Sequence, residues 1–233
     1  MKILHLYHDL MNLYGDYANL SALCRILEQN GVDCTVDRLS LGDTPVLSDY
    51  DFIYIGSGSE ENMRLALSHL SSFKNELKDY IEKGGFALLT GNSFEMLGES
   101  INGPWGDVKG LGICDFTVTQ QDTVRTTSDA IFLSEEVEQP LVGFVNKCSE
   151  IYGVKAPLFT VEMGLGNTKT EKGEGIRVNN FFGTHLTGPL LVKNPHFLEF
   201  LASSLCRKPM DSSAFVYEKA AYNITLEKLR DRI

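Results

Sequence analysis

The chain has 233 residues, with 21 Lys+Arg against 31 Asp+Glu and a formal net charge of -10; its pI is near 5.0. That length suffices for one substantial core, and that charge argues against a nucleic-acid or anionic-membrane surface, whose phosphates would repel such a field. With a mean hydropathy of -0.09 and no apolar run near the ~18 residues a bilayer requires, no membrane span is expected.

MKILHLYHDL at the start reads as one strand, without the longer apolar region of a secretory leader. Five cysteines (Cys24, Cys34, Cys114, Cys148, Cys206) are dispersed without CxxC pairs, which suits packing thiols in a reducing cytosol. Cys148 is the least easily explained of them. His5, His8, His69 and His196 show no metal-ligand spacing, so neither metal nor cofactor is expected.

Met1 to Tyr7 is strand-like. Leu20, Leu23, Cys24 and Leu27 mark an amphipathic helix from about Asp16 to Asn30, closed by Asn30-Gly31. Val32–Leu39 alternates as a second strand, and Asp51–Ile55 is a short third strand running into Gly56-Ser57-Gly58-Ser59. One long helix is expected over Glu60–Glu82, then a fourth strand, Phe86–Leu89, turning sharply into a helical run. This alternation predicts an α/β fold: a three-layer, mostly parallel twisted sheet with helices on both faces.

Beyond Trp105 the texture becomes β-rich, with strands at Asp115–Thr119, Ala130–Leu133, Leu141–Phe144 and Leu158–Met163. Asn179–Val192 reads as strand and loop before a helix over Pro195–Leu205. The tail from Ser212 is helical by pattern, with Tyr222, Leu226, Leu229 and Ile233 in one stripe. It fits either its own domain or a partner's groove.

Ligands in such sheets sit at the carboxyl ends of the strands. The telling segment is FALLTGNSFEMLG, Phe86 to Gly98, which has the shape of a nucleophile elbow but carries glycine at its apex. A glycine-rich loop after the third strand turns backbone N–H groups toward an oxyanion, although GSGS also satisfies a plain tight turn. Ser93 and His185 raise a serine-hydrolase alternative, because Gly91-Asn92-Ser93 resembles a GxS elbow and a histidine lies in the later Gly183–Pro189 loop.

HDLMNLYGDYANLSAL, YIGSGSEEN, GFALLTGNSFEMLG, LGICDF, VGFVNK and FFGTHLTGPLLVKNP occur in one order. Together they resemble the class I glutamine amidotransferases of the cobyric-acid-synthase type, a flavodoxin-like fold. More narrowly, the chain is similar to the glutaminase subunits of lipid II isoglutaminyl synthases. The resemblance covers residues 1–205, with 206–233 a helical extension. It implies a Mur-ligase-like synthetase partner, glutamine as the ammonia source and amidation of a cell-wall precursor.

In that family an elbow cysteine attacks the glutamine side-chain amide while a histidine from the GTxLHGP loop shuttles the proton. The family pattern CGGYQxLG falls on Gly91–Gly98, so the nucleophile position is Gly91 and the base position is Thr187. The usual glutamine is Glu95, and the histidine that some relatives carry after Phe-x-Asn is Lys147. The resemblance therefore implies a pseudo-glutaminase. Gly56, Ser57, Gly58 and Asn92 are left as oxyanion-loop candidates, and Arg125 as a bidentate holder of a glutamine carboxylate or of another small amide or carboxylate. An amidotransferase with its nucleophile elsewhere is the other reading. Glycine at 91 is expected to open space at the elbow for a ligand or water.

Overall fold

The computed structural model describes residues 1–121 and 125–233. Its first half runs β1 (Lys2–Leu6), α1 (Ala18–Gln29), β2 (Thr35–Leu39), β3 (Phe52–Ile55), α2 (Glu60–Leu70), α3 (Lys74–Glu82) and β4 (Phe86–Thr90). The β-rich half holds β5 (Ser100–Asn102), β6 (Val108–Lys109), β7 (Thr117–Gln120), β8 (Thr126–Leu133), β9 (Leu141–Lys147), β10 (Ser149–Tyr152) and β11 (Phe159–Met163). It continues with β12 (Gly173–Glu174), β13 (Ile176–Val178), β14 (Phe181–Thr184) and β15 (Leu186–Thr187), and closes with α4 (Leu190–Lys193), α5 (Pro195–Cys206) and α6 (Val216–Arg230).

The central sheet has the order β13-β14-β4-β3-β1-β2. It is parallel throughout except for β13, which pairs antiparallel with β14. Its inner strands, FIYI and FALLT, are buried on both faces, which is why they read as continuous apolar runs rather than alternating ones. Leu4, Ile53, Ala87 and Leu89 face a core shared with α2, α3 and the sheet β10-β7-β5-β6. Ile3, Phe52, Leu88 and Phe182 face the opposite core, with α1, α5 and the sheet β12-β11-β8-β9-β15. Helices thus cover both faces, as expected; the first face also carries a mixed sheet, in which β5 and β7 pair parallel, and the second an antiparallel one.

Two local expectations are corrected. The long helix is broken at Ser71–Phe73 into a 3-10 turn. There Ser71 Oγ donates to the Leu67 carbonyl (2.8 Å), a back-bond that bends helices while leaving the apolar period intact on either side. The run after β4 is a 3-10 helix, Gly91–Leu97, not an α-helix. Its last carbonyls are taken by the following chain, Leu111 N–H on Met96 and Ile113 and Cys114 N–H on Leu97, so the helical ladder does not continue.

The tail packs on its own domain. Tyr222 and Leu229 of α6 bury against Ile131 and Val142 of β8 and β9, and the Tyr222 hydroxyl donates to the Pro140 carbonyl (2.7 Å). Ile233, the last residue of the stripe, stays exposed. Among the described residues no helix is long and apolar enough to cross a membrane.

Candidate functional site

The loops after β3 and β4 meet at one point. Gly91 follows β4 directly with φ +64°, a left-handed conformation that glycine adopts without penalty and other residues rarely do. Asn92 turns back onto the β3 loop, its Oδ1 accepting from Gly58 N–H (3.0 Å) and its Nδ2 donating to the Gly58 carbonyl (2.9 Å). Ser57 N–H donates to Asp16 Oδ2 (2.7 Å). The Ser57 and Gly58 amides of the oxyanion-loop candidate are therefore committed within the protein.

The space expected beside Gly91 is filled. An ideal Cβ on Gly91 would overlap Ser57 Oγ and Cβ, so the β3 loop occupies the volume of the missing side chain. Asp16 anchors this arrangement: fully buried, it also accepts from Thr90 Oγ1 (2.8 Å) and, at Oδ1, from Asn19 Nδ2 (3.3 Å). Burial pushes its carboxyl pKa up, against the downward pull of the Thr90 and Ser57 hydrogen bonds. No role for Asp16 was read from the sequence; the signal available was an acid inside an otherwise apolar Leu-Tyr-Gly-Asp segment.

Ser93 and His185 do not form a pair. The Ser93 hydroxyl is buried between the Thr90 carbonyl (2.8 Å) and the Ile55 carbonyl (3.1 Å). His185 lies between β14 and β15 and is 2% exposed. Its Nε2 shares a hydrogen bond with Glu95 Oε1 (3.0 Å), and its ring stacks edge-on against Phe94 at 4.6 Å. Thr187, on β15, gives its hydroxyl to the Phe144 carbonyl of β9 (2.9 Å).

Around His185 the sequence departures assemble into one buried polar network. Glu95 accepts from Ser149 Oγ (2.5 Å) and Gln120 Nε2 (3.2 Å) as well as bonding His185. Glu174 accepts from Thr184 Oγ1 (2.7 Å) and His185 N–H (2.8 Å). Lys147 donates to the Gly166 and Asn167 carbonyls (2.6 and 2.8 Å); burial lowers its pKa, against the attraction of Glu174 and Glu95. Polar groups this deep are tolerated because each of these side chains is hydrogen-bonded.

Arg125 is half-exposed and engaged. Its Nη1 pairs with Glu60 (2.7 Å) and its Nε donates to Asn146 Oδ1 (2.8 Å). Burial opposes its charge, but Glu60 holds its pKa above the ordinary value. Trp105 stands over the start of α2, where it lines a cleft of about 440 Å³ with Ser59, Glu60, Glu61 and Arg64.

All five cysteine thiols have their pKa raised. Cys148 donates to Glu60 (3.1 Å), and burial together with that carboxylate pushes its pKa up to about 12. Burial also lifts Cys114 and Cys34 to about 12 and raises Cys24 and Cys206.

Residues 2–195 match the CobB/CobQ-like glutamine amidotransferase domain. The chain is 32% identical to the lipid II isoglutaminyl synthase (glutamine-hydrolyzing) subunit GatD of Staphylococcus aureus, over 89% of this chain and 85% of that protein. It is 29% identical to the same-named subunit of Streptococcus pneumoniae, over 89% and 81%. Its fold is shared with PurLQS from Thermotoga maritima, with a TM-score of 0.54, 12% identity and coverage of 88% and 94%. A doubly wound sheet, an elbow after β4 and a domain match over most of its length place this chain in the CobB/CobQ-like glutamine amidotransferase family.

Proposed function

We propose that this chain is a pseudo-glutaminase, a subunit that keeps the glutaminase fold and its docking role toward a Mur-ligase-like synthetase but does not release ammonia from glutamine. The observation that carries this reading is Ser57 packed where a side chain on Gly91 would stand. Amide hydrolysis needs a nucleophile to attack the carbonyl, donors for the resulting oxyanion, and a group that passes a proton to departing ammonia. Position 91 brings no side chain, the Ser57 and Gly58 amides are occupied, and the Thr187 hydroxyl titrates far from neutrality and is bonded to a strand carbonyl. The raised thiol pKa values argue against a cysteine acting from elsewhere. The Ser93 hydrogen bonds argue against a serine nucleophile.

The relatives' names supply the context: each is a subunit of a lipid II isoglutaminyl synthase. In this reading the present chain joins such a ligase as a scaffold, and the amidation of a cell-wall precursor draws on free ammonium. The test is reconstitution with a Mur-ligase-like synthetase encoded beside it, supplying either glutamine or ammonium chloride. The expected result is a stable complex that amidates with ammonium and not with glutamine. Glutamine-driven amidation, or no complex at all, would overturn the reading.

A further inference from the structure

A second cleft lies away from the elbow, between α1 and the β1/β2 edge of the central sheet. It encloses about 320 Å³ and is lined by His5, His8, Arg38, Tyr17, Leu20 and Ser21, among others. Register sets His5 directly opposite Arg38, so both side chains leave the same face of the sheet, and His8 follows three residues after His5.

Three observations mark this cleft as built for a ligand. His5 is 3% exposed, yet its Nε2 is buried with no hydrogen-bond partner among the described residues, an arrangement proteins normally avoid. Arg38 makes no ion pair or side-chain hydrogen bond among the described residues. The nearby acids are committed elsewhere: Asp9 is bonded to Ser40, and Asp37, on the opposite face of β2, takes Lys2 and Tyr50. In a chain of net charge -10, this guanidinium beside two imidazoles has no carboxylate within ion-pair distance among the described residues, and Asp9 acts on His5 and His8 only from further off.

We infer that this cleft binds a small organic oxyanion, a phosphate monoester or a carboxylate. Arg38 and His8 meet the charged oxygens, a neutral His5 donates from Nε2–H, and Tyr17 and Leu20 take the apolar body. Guanidinium geometry suits either oxyanion bidentately. Burial, together with the charges of His8 and Arg38, already holds His5 neutral, with its pKa pushed down to about 4, so its role is that of a neutral donor. The volume exceeds that of a bare ion and accommodates an aromatic or sugar-sized group beside it. This site is independent of glutamine chemistry, and its fate does not decide that of the pseudo-glutaminase reading.

The test is calorimetric titration of the full chain with phenyl phosphate and, separately, with benzoate, followed by imidazole chemical shifts. Saturable binding of either probe supports the inference, and the preferred probe names the ligand class. His5 and His8 resonances move on binding, and Arg38→Gln, at an exposed position, weakens affinity about tenfold or more with unchanged thermal stability. A His5→Phe variant, which fills the site without a donor, also binds more weakly. No saturable binding of either probe to the wild type overturns the inference. So does binding that neither Arg38→Gln nor His5→Phe alters.

Discussion

Ser57 and Gly91 share one volume: the serine side chain stands where any Cβ on residue 91 would have to go. The elbow backbone, with φ +64° at its apex, is held in the conformation that presents a side chain, while the neighbouring loop closes over the point of presentation. The two positions are therefore coupled, and restoring the family nucleophile at one of them meets the other.

Gly91→Cys alone lowers stability by about 2–4 kcal/mol, combining left-handed strain with overpacking. Adding Ser57→Gly recovers about 1 kcal/mol or more, a coupling that a double-mutant cycle in urea measures directly. Additive effects of the two substitutions would show that Ser57 is not the obstruction.

Glu95 holds His185, Ser149 and Gln120 at once. Glu95→Ala leaves buried groups unpaired and costs about 3–5 kcal/mol. Glu95→Gln keeps the shape but alters a charge-assisted hub and costs about 1–3 kcal/mol. Denaturant midpoints at constant m-value check both. A Glu95→Gln variant as stable as the wild type would mean that the carboxylate charge is not needed by the network.

Acid weakens the fold through histidines buried in their neutral form. Burial, then the His8 and Arg38 charges, lowers His5 from 6.5 to about 4, and burial lowers His196 likewise to about 4. Between those values the unfolded chain binds protons that the native chain does not. Stability is thus full above pH 6.5 and falls until about pH 4. For His5 the loss is on the order of 3 kcal/mol across that window. Urea midpoints at pH 7.5 and pH 5 follow it, and His5→Phe flattens the slope. An unchanged slope in that variant would assign the acid sensitivity to other groups.

The central sheet was legible because its inner strands are buried on both faces and its helices are amphipathic, so β1 to β4 and α1 stand within a few residues of their expected bounds. The break at Ser71 was not legible, since Met63, Leu67, Leu70, Leu77 and Ile81 keep a helical period across it. Strands β5, β6, β12 and β13, of two or three residues each, are too short to show alternation and are set by long-range pairing. At the site, the motifs led to Gly91, Thr187 and Glu95. What Ser57 fills, what Asp16 anchors and what Glu174 holds depend on segments up to 74 residues apart in sequence. A glycine reads locally as open space, and only the packed loop shows it closed.

The most direct measurement is ammonia release from glutamine labelled with nitrogen-15 in its side-chain amide, by the purified chain alone. The account predicts no release above the uncatalysed background, in the wild type and in Ser93→Ala and Cys148→Ala variants alike. Steady turnover by the wild type, lost in either variant, would contradict it and identify the nucleophile.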